Sequence, residues 1–142
     1  MTEIDNIMQR ALTLKTQEKY EEALKLLDHI KTSLNDDPRF LVIYGMILYL
    51  QKNYLESAKY FQVLVKLRPS SELVSTSLFQ SYWNNGEFEL ATEELNRFLT
   101  SSIPVEAYLT ILDEHYHQLD DSAPDKYREV ISKFYKQYFN KN

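Results

Sequence analysis

The sequence predicts an all-α fold of about eight helices, arranged as three helix hairpins of one size followed by a fourth, divergent hairpin. Three observations carry this. Residues of like character recur every 34 positions. Within each period the apolar residues fall at i, i+3, i+4 and i+7, the spacing of one helical face, and strict alternation is absent. The 142 residues include only 2 Gly and 4 Pro, too little turn material for a β architecture. With 44% hydrophobic residues, the chain is not of disordered composition and is long enough for a single domain spanning 1–142 with its own core.

The period is read from four sets of positions, each member 34 residues from the last: Tyr20, Tyr54 and Phe88; Ala23, Ser57 and Ala91; Leu27, Phe61 and Leu95; Ile30, Leu64 and Phe98. The first hairpin covers about 4–37. Ile4, Ile7, Met8, Ala11 and Leu14 make its first stripe, Thr16 to Lys19 its polar turn. A second stripe runs from Ala23 through Leu27 and Ile30 to Leu34, and Asn35-Asp36-Asp37 ends it. The second hairpin covers about 38–71 and opens on Pro38, which suits a first helical position. From Phe40 to Leu50, eleven consecutive residues carry no charge. A helix apolar all round must be covered on every side, and this one is far shorter than the ~20 residues a membrane span needs. Gln51-Lys52-Asn53 is the turn, the second helix runs to Arg68, and Ser70-Ser71 supply caps for the next helix.

The third hairpin covers about 72–105, with Leu73, Leu78, Phe79, Tyr82 and Trp83 on its first helix. Asn84-Asn85-Gly86 stops that helix, because Gly or Asn adopts the left-handed cap conformation. Phe88 to Leu99 is the second helix. After Ser101 to Pro104 the period fades, and a capping hairpin is expected over about 106–140. Its helices are read as Val105 to Leu119 and from Pro124 to about Tyr138.

Composition limits the chemistry. There is no Cys, hence no disulfide, thiolate nucleophile or thiolate metal site. The formal charge of -5 argues against a phosphate-backbone partner. The basic residues near the end (Lys126, Arg128, Lys133, Lys136 and Lys141) read as the solvated side of the last helix, not as a nucleic-acid face. Met1 to Asp5 is acidic with no apolar signal core, so a soluble, cytoplasmic protein is expected, with no membrane partner. Asp113-Glu114-His115-Tyr116-His117 is the most chemical-looking stretch. Residues two apart on a helix point about 200° apart, so its two histidines do not share an ion. Asp36-Asp37 and Asp120-Asp121 read as turn and cap residues, and Gly45 and Gly86 stand alone, without a phosphate loop. No catalytic residue, metal site or cofactor is expected, and the chain is read as a non-enzyme.

A helix-turn-helix period of this length resembles the tetratricopeptide repeat (TPR). The second hairpin carries the resemblance best: Leu41, Tyr44-Gly45 and Leu48 occupy the first-helix slots, Ser57 and Phe61 the second-helix slots, and Pro69 closes. The first hairpin supplies Ile7, Ala11, Leu14, Ala23 and Leu27, with the proline delayed to Pro38. The third supplies Tyr82, Ala91, Leu95 and Phe98, but Phe79 stands where a small residue is usual, which implies wider packing there. Gly45 costs about 1 kcal/mol against Ala in a helix interior, so its place implies a close helix approach.

The resemblance implies a right-handed α-α superhelix whose first helices line a concave groove. In that register the groove presents Met8, Gln9, Leu12 and Lys15, then Arg39, Val42, Ile43, Met46 and Tyr49, then Thr76, Gln80, Trp83 and Asn84. The last hairpin adds Thr110, Glu114 and His117. Partner binding is placed on Met8, Leu12, Arg39, Val42, Ile43, Met46, Tyr49, Gln80, Trp83 and Asn84. Some TPR domains hold a terminal carboxylate with Lys, Asn and Arg; Met8, Leu12, Ile43 and Thr76 stand at the matching positions, so that role is rejected. The implied function is a non-catalytic protein-protein interaction module holding a polypeptide segment in an apolar groove. Two alternatives stay open: a dedicated chaperone or toxin-neutralising protein for one secreted effector or toxin, and a homodimeric scaffold. The apolar face could equally meet a partner, a second copy or the chain's own last helices.

Overall fold

A computed structural model describes residues 2–140, and these are all-α: eight helices and no strand among the described residues. The helices are α1 (Glu3–Thr16), α2 (Tyr20–Asp28), α3 (Pro38–Leu50), α4 (Tyr54–Leu67), α5 (Glu72–Asn84), α6 (Phe88–Ser101), α7 (Ala107–His117) and α8 (Asp125–Phe139). None is long and apolar enough to cross a membrane. Met1 and Lys141, which entered the sequence reading, lie outside the described residues.

The 34-residue period is written into the backbone as well as the side chains. Glu18, Lys52 and Gly86 all have positive φ, at 61°, 64° and 80°. Each sits in the same pair of hydrogen bonds. Lys19 N–H donates to the Leu14 carbonyl (2.8 Å), Asn53 to Leu48 (2.9 Å) and Glu87 to Tyr82 (2.9 Å). One residue earlier, Glu18 donates to Lys15 (3.0 Å), Lys52 to Tyr49 (2.9 Å) and Gly86 to Trp83 (3.1 Å). This double closure satisfies the last carbonyls of the first helix. Only Gly86 announces such a turn by its residue type. Glu18 and Lys52 take up a conformation unfavourable for an L-residue because the two hydrogen bonds hold them there. The second helices then start at Tyr20, Tyr54 and Phe88, in register.

Caps account for the remaining starts. Thr2 and Asp5 form a reciprocal box at the head of α1, with Asp5 N–H to Thr2 Oγ1 at 3.1 Å and Thr2 N–H to Asp5 Oδ2 at 3.2 Å. Asp37 accepts from the Arg39 N–H (2.9 Å) with Pro38 at the first turn of α3, and Ser71 accepts from the Val74 N–H (3.2 Å). Two boundaries differ from the sequence pattern. The stripe through Ile30 to Leu34 is expected to be one helix, but α2 ends at Asp28 and the chain continues in tighter i→i+3 turns. Ile30 still reaches the core from such a turn, so its burial did not need a longer helix. Helix α7 starts at Ala107, not Val105, because the Glu72 carboxylate on α5 accepts the Val105 N–H (2.7 Å) and the Tyr108 N–H (2.9 Å). A side chain 36 positions away thus caps this helix.

The chain divides into two compact units, Met1–Arg68 and Pro69–Asn142. In the first, α3 packs against α4, α2 and α1. Phe40, Ile47, Leu27, Phe61 and Leu64 are fully covered, as are the small residues Ala11, Ala23 and Ser57. A Cβ on Gly45 would sit 3.1 Å from the Phe61 ring and 3.2 Å from Tyr60 Cβ, and Ser57 Oγ donates to the Gly45 carbonyl at 3.0 Å. The glycine is therefore where α3 and α4 touch backbone to side chain. In the second unit, α5 packs on α6 and α7, and α8 on α7 and α6. Phe79, Phe98, Tyr108, Leu112 and Ile131 fill its centre. Phe79, in the slot that Ala11 and Gly45 hold earlier, spreads this core: its ring meets Trp83, Tyr108 and His115 at centroid distances of 5.9, 6.2 and 5.4 Å.

Candidate functional site

Apart from Arg39, the residues assigned to partner binding fall into three groups. Met8 and Ile43 are core residues of the first unit, 5% and 8% exposed, so they position neighbours and offer no contact surface. Leu12, Val42, Met46 and Tyr49 are half-buried on α1 and α3. On α5, Gln80 and Trp83 are half-buried and Asn84 is exposed, its amide donating to the Gln80 carbonyl at 2.8 Å. Thr76 is buried and bonds back to the Glu72 and Leu73 carbonyls, which leaves it a packing residue.

Arg39 is exposed but engaged. Its guanidinium reaches Asp5 at 3.1 Å and Asp37 at 3.3 Å, tying α1 to the head of α3. The Arg39 hydrogen bond is the main cause holding the Asp37 carboxyl below its ordinary range; for Asp5 the Thr2 cap comes first and Arg39 after it. On the other side of α3, the Tyr44 hydroxyl donates to Asp28 (2.8 Å), its ring stacks on Tyr60 (4.7 Å), and the Lys31 ammonium lies 5.0 Å from the Tyr44 centroid. Burial and the Asp28 contact push the Tyr44 hydroxyl well above its usual pKa.

Trp83, the single tryptophan, is the hub of an aromatic cluster in the second unit. Phe88 lies edge-on at 4.5 Å, His115 at 4.7 Å, Tyr127 at 4.9 Å and Phe79 is stacked at 5.9 Å. The Tyr127 hydroxyl and His115 Nδ1 are 2.5 Å apart. Burial lowers the His115 pKa, which keeps the ring neutral, and raises the Tyr127 hydroxyl to about 12. The first unit repeats the outermost pair of this cluster: Tyr49 lies edge-on to Tyr54 at 5.2 Å, one period before Trp83 and Phe88. His117 lies apart from His115, exposed, with Nδ1 bonded to the Asp113 carbonyl at 2.8 Å. Glu114 is exposed, and Thr110 bonds back to the Glu106 carbonyl.

Beside this cluster the second unit has a pocket of about 590 Å³, lined by Gly86 to Leu90, Thr92, Pro124, Lys126 and Tyr127. Its walls are mainly apolar: Phe88 and Leu90 from the start of α6, Pro124 and Tyr127 from the start of α8. None of these was assigned to a binding site from the sequence. One signal was present. The register position of Leu90 is Glu22 in the first hairpin and Glu56 in the second, so an apolar residue there breaks a solvent-facing acidic pattern. Among the described residues no three His, Cys, Asp or Glu side chains converge as metal ligands would. No protein-family model, curated protein or solved structure matches the chain.

Proposed function

We propose that this chain is a non-catalytic protein-interaction module of the TPR type, its hairpins stacking as a right-handed α-α superhelix, working in the cytoplasm. It holds a segment of a partner polypeptide against the first-helix faces. The observation that carries this reading is the threefold recurrence of one hairpin turn, at Glu18, Lys52 and Gly86, together with a half-exposed apolar strip on the first helices. Leu12, Val42, Met46 and Tyr49 form that strip in the first unit. Stacked hairpins of this kind spend their first helices on an extended surface, and a Met- and Tyr-bearing strip suits an apolar segment with some freedom of fit.

The test is capture of a partner from lysate by the purified chain, with sequencing of what co-purifies. Tyr49→Ala and Met46→Gln each abolish capture while leaving the circular dichroism spectrum unchanged. Undiminished capture in both variants overturns the assignment of this face. Trp83→Ala is a poor test, since four rings lean on that indole and its loss empties their centre.

A further inference from the structure

We infer that the pocket between the first turns of α6 and α8 is a second binding site, which takes a large apolar side chain from a basic segment of a partner polypeptide. It goes beyond the first-helix face and does not depend on it.

Four observations lead there. The pocket, at about 590 Å³, falls within the roughly 300–1,000 Å³ of ligand sites. Its walls are ready for an aromatic or branched anchor: Phe88 and Leu90 remain 43% and 39% exposed, and Tyr127 is fixed from behind by its bond to His115. Leu90 replaces the glutamate that the two earlier hairpins carry at its position, so that part of the apolar wall belongs to this hairpin and not to the repeat. The rim is mostly acidic: Glu87 and Glu89 line the pocket against the lone Lys126, and Glu93 follows exposed one helical turn beyond Glu89. Glu87 already accepts the Asn85 amide (2.7 Å), whereas the Glu89 carboxylate has no hydrogen bond or ion pair among the described residues.

These features also choose the ligand. A free amino acid or other small zwitterion needs buried polar partners for both of its charges, and the pocket keeps its charges at the rim. A side-chain anchor needs only the apolar walls. The excess of carboxylates at the rim favours lysine or arginine beside that anchor, and rejects acidic neighbours.

Trp83 makes the test direct, because it touches both Phe88 and Tyr127 and is the chain's single tryptophan. The full-length chain is titrated with three Trp-free synthetic peptides while Trp83 emission is followed. One combines Lys and Ala with two Phe a helical turn apart; the second replaces every Lys by Glu; the third replaces both Phe by Ala. The Lys/Phe peptide gives a saturable emission change, and the other two give none in the same range. Phe88→Ala raises the half-saturating concentration by about tenfold or more, the loss of one hot-spot contact. Glu89→Lys, an exposed change that leaves the fold intact, raises it as well. Tyr49→Ala leaves it where it was, which separates this site from the α3 face. Equal response to the Glu/Phe peptide, no response to the Lys/Phe peptide, or an unchanged midpoint in both Phe88→Ala and Glu89→Lys overturns the proposal.

Discussion

The two units use the same kind of hairpin and hold it together differently. In Met1–Arg68 the single buried polar side chain among the described residues is Ser57, and the interior is otherwise apolar contact around Gly45 and Phe61. In Pro69–Asn142, Ser75, Thr76, Ser81, Thr92, Glu94 and His115 are all buried. There Glu94 accepts from Ser75 (2.5 Å) and pairs with Arg97 (2.7 Å), Ser75 bonds the Tyr108 hydroxyl (2.6 Å), and Arg97 reaches the Pro69 carbonyl (3.1 Å). The polar network starts on α5 and α6 and reaches past the end of the sequence period to α7. In the first unit small and large residues interlock around α3, and the bonds that join its helices, Arg39 to Asp5 and Tyr44 to Asp28, lie outside the fully covered core. Where the register fails, after Ser101, α7 is located by directed bonds instead: Glu72 caps its start and Ser75 fixes Tyr108. Such networks specify one arrangement because each buried group must find its partner.

That contrast can be broken in several ways. The largest effect is expected from Phe61→Ala, about 3–5 kcal/mol by urea denaturation, since a fully covered ring at the α3–α4 contact leaves a cavity. A loss below about 1 kcal/mol would mean that packing is not what holds the first unit. Next, Glu94→Ala should cost about 2–3 kcal/mol, read through Trp83 emission, because it leaves the Arg97 charge without its carboxylate and takes one partner from Ser75; the figure sits below that of a fully buried pair since Arg97 keeps a third of its surface in water. Glu94→Gln, retaining an acceptor for Ser75, should recover part of that. If Glu94→Ala proves neutral, the polar network is an ornament of the second unit and not its means of assembly.

A smaller effect is expected with pH. Burial depresses the folded pKa of His115, so the unfolded chain takes up its proton first. The stability that a neutral His115 contributes is complete above about pH 6.5 and is lost as pH falls toward the folded pKa, with a slope of at most about 1.4 kcal/mol per pH unit. His115→Phe should flatten the pH profile of the Trp83-reported transition; an unchanged profile would show that another group titrates. The smallest effect is Gly45→Ala. Helix propensity gains about 1 kcal/mol, while the new methyl meets the Phe61 ring and Tyr60 Cβ at 3.1–3.2 Å in a full core. The net expectation is a loss of about 1 kcal/mol, and a gain would show that α3 and α4 have room to part.

Much of the fold was legible in the sequence. Every helix and turn of the first three hairpins lies within a few residues of its pattern, apart from α2, whose apolar stripe continued past the end of its helix because Ile30 is buried from a turn. The candidate surface was less legible. Met8 and Ile43 share their helical stripes with Leu12 and Met46, yet the first pair is covered and the second half-open. Nothing in the spacing of α1 or α3 separates them, since cover comes from whichever helix lies opposite. The pocket at Phe88 and Tyr127 was invisible for the same reason, its walls being 39 residues apart in the chain.

By itself the sequence determined the all-α class, the 34-residue hairpin period and, apart from the end of α2 and the start of α7, about where helices begin and stop. These follow from helical periodicity, caps and turn chemistry, all of which act over a few neighbouring residues. Tertiary structure alone decided that Glu72 caps α7, that Glu94 and His115 are buried and bonded, and that Leu90 and Tyr127 face one cavity. Each of these joins groups from separate helices, and no local rule sees across that distance.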